Sequence, residues 1–137
     1  MSENISGAIS GALNPDSAEA QKHAAQYYES VRSMKTDVDK IAENTGMSKH
    51  DIQEIKNYLF IDRHDLIKGD ERFDASYDIA QSWQRLIEGK NIKEQDIILL
   101  NHEMVEIKLV RSGATQDRAH VEAAKLFNYA KAADERR

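Results

Sequence analysis

The string His102-Glu103-Met104-Val105-Glu106 is where residue types and spacing in this sequence come closest to chemistry. Positions i and i+4 of a helix face the same way one turn apart. His102 and Glu106 can therefore reach one ion while Glu103 activates water, a pattern one residue away from the His-Glu-x-x-His of zinc peptidases. A third ligand is needed. His120 is the candidate, because it falls in the next predicted helix on the same side as Ala123, Ala124 and Phe127. With His102 about ten residues before the intervening turn and His120 about five after it, antiparallel helices leave the two offset by about 7 Å at ~1.5 Å per residue. The set reads as a divalent-metal site, zinc or manganese, formed by His102, Glu106 and His120 with Glu103 as the catalytic base. Without metal, a His/Glu pair can still do general acid–base work on a phosphodiester. The competing reading is a buried polar network in which His102 bonds a glutamate one turn away and holds helices in register.

A second group, Asp62-Arg63-His64-Asp65 followed by Asp70-Glu71-Arg72 and Asp74, lies in a charged stretch without helical period. His64 and Asp65 are candidate acid–base residues that close the site from this loop. The plainer reading is a solvated loop anchored by Phe60, Leu66 and Phe73. Residues 38–59 have helix-turn-helix spacing, with Gly46 in the turn and Ser48 as cap. The outward face of the second helix would carry Lys49, His50, Asp51, Gln53, Glu54 and Lys56, and its acids suit a phosphate-lined groove poorly. His23 and His50 read as exposed helix residues, and Trp83 as core.

Composition restricts these options. The 137 residues include no cysteine, which removes disulfides, thiolate zinc sites, iron–sulfur clusters and Cys nucleophiles together and leaves any metal to His, Asp and Glu. The formal charge of -5 argues against gripping nucleic acid with the whole surface. Mean hydropathy is -0.69, and no run approaches the ~18 apolar residues of a membrane span or has the form of a secretory leader. A cytoplasmic protein without membrane partners is expected. One proline and six glycines predict an all-α fold.

The elements that must position the candidates follow from periodicity. Residues 1–13 read as a flexible arm and residues 14–137 as one α-helical domain. A first long helix starts at Pro15 and runs along Ala20, Ala24, Tyr27, Val31, Met34, Val38 and Ile41 to about Asn44. Ser48 caps a short second helix along Ile52, Ile55 and Leu59, and residues 60–73 form an ordered charged loop. Asp74 or Ser76 caps a third helix, stopped by Gly89. Asn91 starts a fourth that runs to about Arg111, apolar almost all round and hence central. Thr115 caps a fifth, along Ala119, Ala123, Ala124, Phe127 and Ala130. The expectation is a single-domain bundle of about five helices with a long central helix.

From Asn14 to about Tyr129 the chain resembles the C-terminal domain of phage minor head (head-morphogenesis) proteins and a related domain at the end of LXG-type polymorphic toxins. The matching residues are Lys56-Asn57-Tyr58-Leu59-Phe60, His64, Leu66, Arg72-Phe73-Asp74 and Ala80-Gln81-Ser82-Trp83-Gln84-Arg85-Leu86. They continue with Leu99-Leu100, His102-Glu103, Glu106, Ala119-His120 and Asn128-Tyr129. The resemblance implies that His64, His102, Glu103, Glu106 and His120 occur together. It also implies a toxin-type hydrolase, often a nuclease, that is virion-associated or delivered into a target cell. Phage head proteins or a cognate immunity protein would be its partners and nucleic acid a possible substrate. The alternatives are a non-catalytic interaction or phage structural module, and a helix-turn-helix DNA-binding domain.

Overall fold

Ser17 accepts the Ala20 N–H at 3.1 Å and opens α1 (Ala18–Ser33), the first element of a computed structural model that describes residues 14, 16–66 and 69–135. The predicted arm 1–13, the helix start at Pro15 and the final Arg136-Arg137 lie outside the described residues. The helices that follow are α2 (Asp37–Thr45), α3 (Lys49–Lys56), α4 (Tyr77–Glu88), α5 (Glu94–Arg111), α6 (Gln116–Leu126) and α7 (Tyr129–Glu135). A π-turn (Asn57–Ile61) extends α3, and a small antiparallel hairpin joins β1 (His64–Leu66) to β2 (Gly69–Glu71), with Asp65 opposite Asp70. The fold is all-α, as expected, with seven helices among the described residues rather than about five. None of them is long and apolar enough to cross a membrane.

The differences in count are two breaks and one extension. The predicted helix 15–44 breaks at Met34, which turns extended (ψ 140°) and gives its carbonyl to the Lys56 ammonium at 3.0 Å. Its apolar stripe is continuous through the break, so periodicity did not reveal it. Lys56 also bonds Asp37 Oδ1 at 2.9 Å, and Asp37 Oδ2 accepts the Trp83 indole N–H at 3.2 Å. Lys56, assigned from sequence to an exposed helix-turn-helix face, is instead buried, because it neutralises a buried aspartate. The predicted fifth helix breaks at Phe127, which adopts φ -136°, and Asn128 Oδ1 then accepts the Lys131 N–H to begin α7. The loop expected at 60–73 begins inside the π-turn and contains the hairpin. Phe60 is fully buried against Tyr28 and Trp83, with centroids at 4.6 and 5.0 Å.

Start and stop signals were otherwise well placed. Ser48 accepts the Asp51 N–H and Ser76, of the two candidates, the Ile79 N–H. Gly89 ends α4 at φ 75°, where a Cβ would strike the Asn44 side chain that donates to the Leu86 and Ile87 carbonyls. The fourth predicted helix starts at Lys93 instead of Asn91. Its N–H is taken by Asp96, which also receives both hydrogens of an Arg85 fork at 2.7 and 2.9 Å.

Helix α5 packs against α3, α4, α6 and α7 and is central. Its buried face is more polar than apolar, comprising Gln95, Asp96, His102, Glu103 and Glu106 against Leu99, Leu100 and Ile107. The main core is built from α1 to α4 and the π-turn, with Tyr27, Val31, Ile41, Ile52, Phe60 and Trp83 at its centre, and Leu100 and Ile107 of α5 join it. Removing one partner of a buried pair leaves an uncompensated charge, so Asp37→Ala is expected to lose about 3–5 kcal/mol in urea denaturation. Asp37→Leu combined with Lys56→Met removes both charges and is expected to recover most of that loss.

Candidate metal centre

Glu106 is the centre of the polar face of α5. Its side chain is 2% exposed, and four donors surround its carboxylate. His102 Nε2 and His120 Nδ1 each lie 3.0 Å from Oε1. Tyr58 Oη donates to Oε2 at 2.5 Å, and Gln116 Nε2 donates to the same oxygen at 3.3 Å. The residues predicted as His102, Glu106 and His120 are thus brought together, with imidazole centroids 5.0 Å apart. The expected 7 Å axial offset is absorbed because Glu106 lies one turn nearer the α5–α6 connection than His102 and meets both rings.

Local sequence explains each position. Gly113 at φ 107° and the Thr115 cap turn the chain sharply from α5 into α6, setting Gln116 and His120 beside Glu106. The break after α6 releases the Phe127 carbonyl, and His102 Nδ1 lies 2.9 Å from it. A carbonyl oxygen only accepts, so Nδ1 carries the hydrogen. His102 Nε2, 3.0 Å from Glu106 Oε1, is then the second N–H of an imidazolium or a lone pair open to a proton or a cation. This polarity, a ring N–H on a backbone carbonyl with the other nitrogen aimed at a carboxylate, is the one that orients metal-binding histidines.

The ligand atoms of His102, Glu106 and His120 all lie within 4.8 Å of one another. Two imidazoles and one carboxylate match the donor set of many catalytic zinc sites, which leave further positions open for water. The donors fit a divalent ion such as zinc or manganese, and the 58% exposed His120 side chain gives the centre an edge toward solvent. His50, Asp51 and Glu54 form a second such cluster, but Glu54 is already taken by Arg111 and by His50 at 3.0 Å, on the surface of α3.

The titration behaviour of the centre is divided. Burial opposes ionisation of Glu106, but bonds from His102, Tyr58, His120 and Gln116 outweigh it and hold its carboxyl below the usual range. Burial also opposes charge on His102, yet the bond to Glu106, the Glu103 charge and the Phe127 carbonyl raise it. Glu103, 5% exposed and 4.0 Å from His102 Nε2, is pushed up to about 8, first by burial and then by the Glu106 charge, with His102 pulling the other way. The sequence reading made Glu103 a base; its surroundings keep it protonated at neutral pH, a store for a proton beside His102.

His64 does not touch Glu106. Its Nε2 donates to the Tyr58 carbonyl at 2.8 Å, and its ring stacks on Phe73 at 4.0 Å and meets Tyr58 edge-on at 4.6 Å. Asp65, on the opposite face of β1, is exposed and lines a small opening beside Gln116. On the His64 side lies a cleft of about 450 Å³, walled by Tyr58, His64, Ile107 and Val110, with Arg63 and Arg111 among its lining. Sequence reasoning missed Tyr58, Gln116 and the Phe127 carbonyl. Tyr58 falls in an apolar run and reads as core; only its hydroxyl, which must find a partner when buried, signalled more.

The chain matches no protein-family model, and comparisons with curated proteins and with solved structures return no match.

Glu103 binds its proton in the folded protein between pH 4.5 and about 8, where the unfolded chain has released it, so stability is lost as pH rises through that window. His102, raised when folded, acts in the same direction, and Glu106, lowered, costs stability only in acid. Maximum stability is therefore expected below pH 7. Glu103→Gln should flatten the alkaline decline and gain on the order of 2 kcal/mol at pH 9 in denaturant titrations. An unchanged decline would mean that Glu103 is not the group responsible.

Proposed function

We propose that His102, Glu106 and His120 hold a divalent cation, zinc or manganese, and that the chain is a small metal-dependent hydrolase of the phage- or toxin-associated kind its residue pattern resembles. The observation that carries this reading is the polarity of His102: Nδ1–H on the Phe127 carbonyl and Nε2 converging with His120 Nδ1 on Glu106 Oε1. A bound divalent ion would supply Lewis-acid activation of water. The rest of the work falls to this chain's own groups. Phe127 fixes the His102 ring, Tyr58 and Gln116 engage the far oxygen of Glu106, and the buried Glu103 carboxyl, 4.0 Å from His102 Nε2, would give its proton to the leaving oxygen of the substrate. A proton-carrying carboxyl in this position suits hydrolysis of a phosphodiester, where the leaving oxygen must be protonated as water adds to phosphorus.

The buried-network alternative draws support from the same four donors, which leave Glu106 well satisfied without any ion. Metal uptake separates the two. Dialysed protein is expected to bind one zinc or manganese per chain by calorimetry. His102→Ala and His120→Ala each remove a direct ligand and should each weaken binding by more than about 100-fold, beyond the range that loss of an outer-sphere partner costs. Affinity should fall as pH is lowered, because His102, whose proton affinity is raised in the fold, must leave Nε2 unprotonated to bind an ion. Glu103→Gln should keep the ion but lose hydrolysis of bis(p-nitrophenyl) phosphate and toxicity on expression. Wild-type protein that takes up neither metal would leave the residues as a structural network and the chain as an interaction module.

A further inference from the structure

The π-turn at Asn57–Ile61 and the tyrosine it presents have no part in the chemistry above except as a donor. Its backbone closes with the Asp62 N–H on the Asn57 carbonyl at 2.7 Å, a wider loop than an α-turn and one common at functional sites. The turn buries three successive side chains, Tyr58, Leu59 and Phe60. All three join the main core, and Tyr58 also reaches Glu106 of α5 with its hydroxyl and walls the cleft.

Tyr58 is fixed from three sides. His64 donates to its carbonyl and packs edge-on against its ring, and Phe73 meets the ring at 5.3 Å. Its hydroxyl is left one strong acceptor, Glu106 Oε2, and that bond is shorter than the one from Gln116. The hydroxyl and both imidazoles thus divide the carboxylate, with Oε2 on the tyrosine and Oε1 between the rings.

We propose that Tyr58, braced by His64, is a positioning residue that makes Glu106 a one-oxygen ligand by holding Oε2 away from the ion. The proposal rests on the metal reading and gives His64 a role through Tyr58 rather than at the reacting atoms. Freed from the tyrosine, Glu106 can rotate and chelate with both oxygens, changing the coordination number.

Cobalt(II) is the probe, since its visible spectrum reports coordination. Tyr58→Phe keeps the ring and removes only the hydroxyl. It is expected to weaken cobalt binding about tenfold, within the range for outer-sphere partners, and to replace intense visible bands with the weaker absorption of higher coordination. His64→Ala keeps the hydroxyl but removes its brace, and should move both readouts the same way by less; it carries the test alone if Tyr58→Phe fails to fold by circular dichroism. Wild-type spectrum and affinity in the folded variants would overturn the role of Tyr58 while leaving the metal site standing. Wild-type protein that binds no cobalt would overturn both.

Discussion

A carboxylate held almost without solvent on the inner face of the central helix is the constraint around which this fold is arranged. Glu106 must stay ionised in a medium that penalises charge, and it does so because donors arrive from the π-turn, from α5 itself and from both ends of the first two turns of α6. Each donor needs its own support. Tyr58 requires the bulged turn and the hairpin histidine, His120 and Gln116 require the tight connection through Gly113, and His102 requires the carbonyl that α6 surrenders at Phe127. Burying a charge is tolerable only with such complete pairing, so the polar face of α5 dictates where its neighbours begin and end.

The same rule accounts for the other irregularities. Both places where a predicted helix breaks are places where a backbone carbonyl leaves the helical ladder and meets a buried cationic or N–H group. Met34 turns out to meet the Lys56 ammonium, and Phe127 turns out to meet His102. In the first case the broken turn also seats Asp37 between Lys56 and Trp83. In the second it starts α7, whose Tyr129 bonds Ser82 of α4 at 2.8 Å. The breaks therefore answer demands made by residues 22 and 25 positions away in the chain.

That distance explains what the sequence could show. Caps are local, a serine or threonine three residues from the N–H it accepts, and Ser48, Ser76, Thr115 and Gly89 were all legible. The convergence of His102, Glu106 and His120 was legible too, because it follows from helical phase and a short connection. The breaks at Met34 and Phe127 were not, since apolar periodicity runs through them and their cause lies in Lys56 and His102. Tyr58 was hidden for a related reason: aromatic residues in an apolar run read as packing, and the acceptor for its hydroxyl is 48 residues on. Lys56 illustrates the converse error, a charged side chain placed outside by default whose partner lay in the preceding helix.

The two glutamates show how one helix face can divide a single chemistry. They are three residues apart, both nearly dry, and share His102 as a neighbour, yet their proton affinities are driven in opposite directions. Glu106 receives every convergent donor and is held as a carboxylate; Glu103 faces burial and the Glu106 charge and keeps its proton to about pH 8. Neither state is intrinsic to glutamate. If Tyr58, Gln116 and His120 converged on Glu103 instead, the roles would be exchanged. A neighbouring pair pushed apart in this way sets a fixed negative charge beside a proton-bearing carboxyl, the kind of split that acid–base sites use. The hydrogen-bond geometry contributed by elements other than α5 therefore assigns the roles, and the identity of the residues within His-Glu-x-x-Glu does not.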